Sequence, residues 1–470
     1  MSTNEVSPDR EKHESVLSSQ VREGAASAVM QGSGETYLSA FALLLHATPF
    51  QIGLLAAVPP IVGTAAQLLS VKLLDRVQAR KPLILTGAVG QGFAWFPLFT
   101  LPMLFPTHAA SLLLTGVMIY VAMGHFTVPA WNSLITDMVH ADRRGVYFAG
   151  RARVVAVTSF VALAIAGLIL QTSGSWTEPA WGFGAIFLAA AVARLVSIKY
   201  LSRLPEITIP EGSKKDSGVR EFLRARRSVM FRRFLLFSGS FHMAVMMAGP
   251  FFVVYLLRDL HLTYLQYGIW LAAPVLGQLM SLQEWGRIAD TFGNKKVLVI
   301  TGFLIPILPV LYLLGSNWLF LVGINFLSGL VWPGFSLSLG NYVFDAVHPD
   351  DRAKGVAIYH TVNALGAGGG AMIGSWLATI VPAYFEVFGL VLSLTSNLPI
   401  LFSLSGVLRL IVSITLLNTF RERRRVTAIS HRHLLVELPL IKPITGVLIA
   451  RRRRARATIP TVIDCPKTVE

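Results

Sequence analysis

The chain has 470 residues, 53% hydrophobic and only 14% charged, with a mean hydropathy of +0.59. Soluble domains carry about 25% charged residues, and a soluble chain of this length would split into domains joined by polar linkers, so the composition excludes an ordinary soluble protein. The net charge of +16 would suit nucleic acid if it were spread over one face, and its distribution, described below, excludes that partner.

In chain order, residues 1–24 are polar and mixed in charge, with no apolar core and no cleavage pattern; they read as a cytoplasmic N-terminal tail without a signal peptide. Apolar runs follow at about 25–47, 51–73, 83–104, 109–132, 146–170 and 181–202. A polar stretch, 205–230, with Pro205, Pro210, Gly212, Lys214 and Lys215, separates these from a second set at about 232–257, 264–285, 297–314, 318–342, 355–381 and 399–418. Each run has the length needed to cross ~30 Å of hydrocarbon at ~1.5 Å per residue. Backbone groups in lipid must bond internally, and the alternating pattern of a transmembrane barrel is missing, so the runs are predicted to be helices. Residues 419–470 form a basic tail with Arg421 to Arg425 and Arg451 to Arg454. The apolar stretch Leu434 to Ala450 inside it is broken by Pro439 and Pro443 and reads as lying on the inner surface near anionic lipid.

With the N-terminus inside, only Arg258 of the 41 Lys and Arg residues falls in the outer connections; the others fall in inner loops, tails or adjoining helix ends. That asymmetry is the positive-inside rule. It predicts an even number of spans with both termini cytoplasmic, in a cell (inner) membrane. The single cysteine, Cys465, lies in the tail, which leaves no intramolecular disulfide and argues against a Cys-based metal site. No phosphate loop, nucleophile elbow or zinc-ligating His pair occurs, so neither an ATP-driven pump nor a membrane enzyme is expected, and no cofactor is.

The two halves repeat. At an offset of 215 residues, Gln51, Gly53, Ala57 and Pro59 match Gln266, Gly268, Ala272 and Pro274; Lys72, Asp75 and Lys81 face Arg287, Asp290 and Lys296. A second block pairs Asp137 to Gly145 with Asp345 to Gly355. Two six-helix units, 25–204 and 231–418, are therefore predicted, joined by a cytoplasmic linker at 205–230.

Between the eighth and ninth runs stands Gly286-Arg287-Ile288-Ala289-Asp290-Thr291-Phe292-Gly293-Asn294-Lys295-Lys296. With the duplicated twelve-span layout, this segment resembles the major facilitator superfamily. The first-half copy keeps Asp75, Arg76, Arg80 and Lys81 but has Val71 and Gln78 where the glycines stand, so its turn geometry is open. The resemblance implies an all-α membrane protein of about twelve transmembrane helices in two pseudo-symmetric six-helix bundles. It also implies that Asp75 meets the start of the eleventh helix (Arg352, Lys354) and Asp290 the start of the fifth (Arg143, Arg144), closing an inner gate with Arg287 and Lys295. A carboxylate at a helix N-terminus is favourable because orphan amides and the dipole point at it.

Charge at membrane depth is costly, so it marks candidate sites. Glu35, in Gly32-Ser33-Gly34-Glu35-Thr36-Tyr37, reads as midway along the first span; its repeat partner is Pro250, preceded by Gly249. Both halves thus weaken a helix near the centre, and Glu35 is expected to bind a proton or a cationic group, or else to be a paired structural carboxylate. His125, His242 and His360 can titrate near neutral pH or serve as packing residues. Trp131, Asn132 and Asn363, with Gln91, Asn325 and Asn341, line a cavity or join helices by hydrogen bonds. Gly366, Gly370 and Gly374 recur every four residues, a spacing for close helix packing. The fifth span has no Gly-Pro pair, which removes one argument for efflux. The reading is a secondary active transporter that moves a small solute by alternating access, coupled to protons; the alternatives are a sensor or scaffold that reuses the fold, and a lipid translocator.

Overall fold

A computed structural model describes residues 8–139, 144–176, 179–206, 229–348, 352–381, 384–387, 390–393 and 396–422. The first half consists of α1 (Pro8–Ser33), α2 (Leu38–Leu44), α3 (Pro49–Val77), α4 (Arg80–Leu104), α5 (Ala109–Met138), α6 (Arg144–Trp176) and α7 (Pro179–Leu201). The second consists of α8 (Val229–Met246), α9 (Phe251–Val254), α10 (Tyr264–Phe292), α11 (Asn294–Leu304), α12 (Ile307–Val310), α13 (Trp318–Ala346), α14 (Arg352–Ile380) and α15 (Leu398–Leu416). α1 with α2, α8 with α9, and α11 with α12 are broken single spans, so twelve spans result. Among the described residues, nine helices are long and apolar enough to cross a membrane. The other three spans, α1 with α2, α10 and α14, carry the polar and glycine residues that face neighbouring helices. One departure from the all-α expectation is an antiparallel hairpin, β1 (Tyr384–Val387) and β2 (Leu390–Ser393), in the connection before α15, with Tyr384 opposite Ser393.

The first helix begins at Pro8, not at 25. The supposed tail is part of the bundle, because Ser19, Gln20 and Glu23 are buried against α6 and α7. The reason is pairing: polar side chains that meet partners inside a bundle read, in sequence, like a solvated tail. In the same way, Leu204 is buried and Glu206 is bonded to α4, so the linker starts later than 205. Residues 207–228, the basic tail from 423 and the linker lysines Lys214 and Lys215 lie outside the described residues.

The repeat has a structural cause. α3 and α10 both open on capping boxes: Gln51 N–H donates to Thr48 Oγ1 at 3.3 Å and Thr48 N–H to Gln51 Oε1 at 2.9 Å, while Gln266 and Thr263 exchange the same bonds at 3.2 and 2.9 Å. Left-handed residues precede both, His46 at φ 55° and His261 at φ 52°. At the other end, Gln78 adopts φ 52°, ψ 13° where Gly293 has φ 91°, ψ 151°. The first-half turn therefore keeps a positive φ without glycine, in the αL well that a side chain tolerates.

We call the end carrying the α3–α4 and α10–α11 turns the basic end. The largest buried cluster lies at the opposite end and draws on both halves: Tyr37, Phe41, Trp95 and Phe183 join Phe251, Tyr255, Tyr267 and Phe402. At the basic end the cores are separate, Leu83, Ile84, Leu134 and Leu201 in one half and Phe234, Phe237, Phe335 and Tyr342 in the other. The halves therefore touch at one end. Ser375 Oγ donates to Pro49 O at 3.1 Å, Leu265 N–H to Gln171 Oε1 at 3.4 Å, and the Tyr37 and Tyr267 rings meet edge to face at 6.1 Å. The glycine row of α14 packs on α8: a Cβ at Gly366, Gly370 or Gly374 would stand 2.3, 2.0 and 2.0 Å from the carbonyl oxygens of Gly239, Met243 and Met247. The close-packing reading of that row is correct.

Candidate functional site

A cavity of about 460 Å³ lies in the first half, lined by residues of α1, α3, α4, α5, α6, α7 and the Glu35 turn. It runs from Glu35 toward the basic end, as far as Trp131, Arg151 and Leu201.

Glu35 sits where the first span breaks. Gly34 is required there, since a Cβ would stand 2.4 Å from the Trp95 ring. Tyr37 N–H bonds to Gly34 O at 3.1 Å in a 3₁₀ turn, and the hydroxyl of Thr36 takes the freed carbonyl of Gln31 at 2.9 Å. The break, after a helix of 26 residues, lies beyond the middle of the span rather than midway. Glu35 is exposed to the cavity and accepts the Tyr120 hydroxyl on Oε2 at 2.9 Å; the Tyr120 ring packs on Trp95 at 4.9 Å. The second break falls at Met247 to Pro250, as the repeat predicts, because Pro250 has no N–H to continue the ladder.

At the other end of the cavity is an ion network that the sequence reading missed. Glu23 Oε2 accepts Arg151 Nη2 at 2.8 Å, and Glu23 Oε1 accepts Ser197 Oγ at 3.0 Å with Arg194 Nη1 at 3.9 Å. Arg194 also donates to Ser197 Oγ at 3.0 Å. The Arg151 guanidinium lies over the Trp131 ring, 4.4 Å from its centroid, and Trp131 Nε1 donates to Gln20 Oε1 at 3.4 Å. In the sequence Glu23 falls in the polar stretch 1–24, and Arg151 and Arg194 look like basic residues near inner helix ends. The available signal was an arginine well inside the sixth span.

The three histidines converge. His125 lines the cavity; His360 on α14 lies within electrostatic range of His125 across the gap between the halves and of His242 within its own half. His242 Nδ1 lies 2.9 Å from Ser238 O, and Ser238 Oγ donates to the buried Asn363 at 2.7 Å. Asn325 and Asn341 make interhelical hydrogen bonds to Trp270 O and Asn294 Oδ1 at 2.7 and 3.4 Å, and Gln91 lines the cavity. Asn132 is exposed and is not part of the lining. Among the described residues no group of three metal-binding side chains occurs.

Of the gate residues, Arg80 and Lys295 make contacts inside their own halves. Arg80 Nη1 donates to Asp137 at 2.6 Å, and Glu206 accepts the Arg80 and Lys81 amides at 2.8 and 3.2 Å. In the second half, Asn294 Nδ2 donates to Asp345 at 2.8 Å and Glu422 accepts the Lys295 amide at 2.9 Å. The Lys295 ammonium bonds to Leu417 O and lies 3.8 Å above the Phe420 ring. Arg287 pairs with Glu284 at 3.0 Å, a Cβ at Gly286 would stand 3.9 Å from Leu337, and Arg76 and Asp290 are exposed. Arg143 and the side chains of Asp75, Arg144, Arg352 and Lys354, on which the cross-half gate contacts depend, lie outside the described residues.

This is the architecture of a multi-pass helical membrane protein with two duplicated bundles that meet at one end and a polar cavity in the first. The model of the Major Facilitator Superfamily matches the chain twice, at residues 25–247 and 234–454, one match per half, and the chain belongs to that family. A crystal structure of a mutant of the nucleoside transporter NupG is similar at 12% identity, with a TM-score of 0.66, covering 86% of this chain and 100% of that one. A bacterial homologue of the iron transporter ferroportin, in an inward-facing state, gives 13%, 0.65, 87% and 98%. A plant protein of Arabidopsis thaliana, named as a probable peptide/nitrate transporter, is 24% identical over 146 residues, 29% of each chain. The chain thus spans less than a third of the length of that relative.

Proposed function

We propose that the chain is a secondary transporter that moves a small solute across a cell membrane by alternating access, with the basic end and both termini in the cytoplasm. One observation carries this reading: the halves share a core at one end and have separate cores at the other, and a polar cavity in the first half runs toward the end where the cores are separate. Two such bodies can rock about the cavity and exchange which end is closed. Glu23, Glu35, Arg151 and Arg194 line the cavity, as a polar cargo requires. Glu35, open to the cavity and held by a single hydroxyl, is the proton-carrying group in this reading. The basic tail beyond 422 lies against anionic lipid.

The test is a cross-link. A Cβ at Gly53 would stand 2.6 Å from Ser375 Cβ, so Gly53→Cys with Ser375→Cys, in a background with Cys465→Ser, forms a disulfide in this state after a shift of about 1 Å. Oxidation abolishes proton-driven uptake into proteoliposomes and reductant restores it. Uptake that continues in the fully cross-linked protein refutes alternating access. Glu35→Gln leaves the fold intact and removes acceleration by an imposed pH gradient.

One observation favours a second reading. An apolar groove of about 580 Å³ lies between α6, α10 and α13, lined by Phe160, Leu168, Leu276 and Phe326 among others. A lipid translocator would use such a groove. Movement of labelled lipid between leaflets, insensitive to Glu35→Gln, supports that reading.

A further inference from the structure

The charges that line the cavity do not balance evenly along its length, and the imbalance points to a substrate class. The ionisable groups of the lining are Glu23, Glu35, Arg151 and Arg194, with His125 and Tyr120. At the basic end two guanidiniums face one carboxylate. Glu23 is fully engaged: it holds Arg151 at 2.8 Å, Ser197 at 3.0 Å and Arg194 at 3.9 Å, with its side chain only 6% exposed. Arg194 is equally buried, at 5%.

Arg151 differs from both. Its side chain is 20% exposed on the cavity. Nη2 goes to Glu23 and Nε donates to Gln20 O at 3.3 Å. The other terminal nitrogen makes no hydrogen bond among the described residues. The planar head is fixed between the Trp131 ring, 4.4 Å away, and Gly24, where a Cβ would stand 3.0 Å from the guanidinium carbon. A guanidinium held flat on an aromatic face, with one edge paired and the other open, is a preformed half of a bidentate carboxylate or phosphate site.

Glu35 completes the count. It lies twelve residues from Glu23 along the first span, on the order of 18 Å at a helical rise of about 1.5 Å per residue, so it does not neutralise Arg151 by contact. The titratable and charged groups that face it are Tyr120, bonded at 2.9 Å, and His125 on α5, Arg194 on α7 beside Tyr120, and the distant Glu23–Arg151 pair. On the second half, His360 lies within electrostatic range of His125, and His242 within range of His360. With both acids ionised and the histidines neutral, the lining sums to zero. With a proton on Glu35 it sums to one positive charge.

We propose that the cavity takes a small organic monoanion, whose acidic group docks on the open edge of Arg151 against Trp131 when Glu35 carries a proton. The inference rests on the transporter reading and adds its substrate class and a stoichiometry of one proton per anion. A dianion leaves a buried surplus of negative charge, and a cation meets two guanidiniums.

The test uses the full chain in detergent and a panel of monocarboxylates and phosphate monoesters, each with its neutral amide or ester and its amine counterpart. Binding is read as quenching of tryptophan fluorescence and as a rise in melting temperature, at pH 5.5 and pH 8. At least one monoanion binds, more tightly at pH 5.5, and its amide and amine counterparts do not. Arg151→Gln weakens that binding by about tenfold or more, and Arg151→Lys recovers part of it by restoring the charge. Glu35→Gln binds the same monoanion equally at both pH values. Melting of the unliganded variants shows that Arg151→Gln and Arg151→Lys are folded. The proposal is overturned if no monoanion binds at either pH, if Arg151→Gln binds as the natural chain does, or if amines or neutral solutes bind best. Gradient-driven uptake of a neutral or cationic solute, blocked by the Gly53–Ser375 cross-link, overturns the anion site while leaving the transporter reading intact.

Discussion

The Glu23 carboxylate offers the sharpest test of how the cavity is built. Its side chain and that of Arg194 are 6% and 5% exposed, and Arg151 is 20% exposed, so solvent screens little of their interaction. Glu23→Ala removes the acceptor of three donors and leaves two guanidiniums facing each other in the bundle. Removing one partner of a buried ion pair costs about 3–5 kcal/mol, because the remaining charge is uncompensated. The expected result is an early melting transition in detergent, with the loss persisting at high salt because the pair is shielded from counterions. Adding Arg194→Met to Glu23→Ala removes the uncompensated charge and recovers most of the stability, since well-packed apolar replacements of buried pairs are about neutral. Glu23→Ala as stable as the natural chain, or a double variant no better than the single, refutes the claim that these three side chains form one buried charge network.

Gly370→Ala places a Cβ 2.0 Å from Met243 O and must push α14 off α8. Its cost is about 1–3 kcal/mol in the same melting assay, whereas Gly369→Ala, which meets open space, costs little. Thr48→Ala and Thr263→Ala each remove a capping box at the end where the halves meet, for about 1 kcal/mol apiece, and the two losses add because the sites are separate. Glu422→Gln weakens the cap on the α11 amides and lowers the melting temperature, whereas Glu284→Gln, on the exposed pair with Arg287, does not. A cysteine at Val128, a cavity-lining residue 39% exposed, reacts with a polar maleimide added from the basic end, and the proposed solute slows the reaction.

Much of the fold was legible because a bilayer makes the pattern simple. Span lengths follow from hydrocarbon thickness, and the two breaks follow from Gly34 beside Trp95 and from Pro250. The repeat was legible for a reason that local structure explains. Gln51 and Gln266 match because both close a capping box, and Asp137 and Asp345 match because both receive a donor from the start of the third span of their half. The site was legible only in part. Glu35 stood out because a charge in an apolar run has no solvated explanation, and Trp131 and His125 were named with it. Glu23 and Arg151 did not stand out, since each is flanked by other polar residues and reads like the end of a helix in water. Their pairing depends on which faces of α1, α6 and α7 meet, and that is a tertiary fact.

The two halves also show where the duplicated design has diverged. Arg194 and Arg409 occupy equivalent positions at the offset of 215 residues, and both are 4% exposed. In the first half the guanidinium meets Glu23. In the second, the position equivalent to Glu23 is Ser238, whose hydroxyl bonds to Asn363, and Arg409 turns instead to Ser405 Oγ at 3.1 Å and Val245 O at 3.4 Å. Val245 stands at the C-terminal end of α8, where its carbonyl also accepts the N–H groups of Ala248 and Gly249 at 3.2 and 3.1 Å. A cation there complements the negative end of the helix dipole. One arginine position thus serves an ion network on the cavity in one half and the cap of a broken helix in the other. That division accounts for a cavity whose carboxylates and guanidiniums all come from the first half, while the second half keeps a fixed bend with Arg409 at its α8 end.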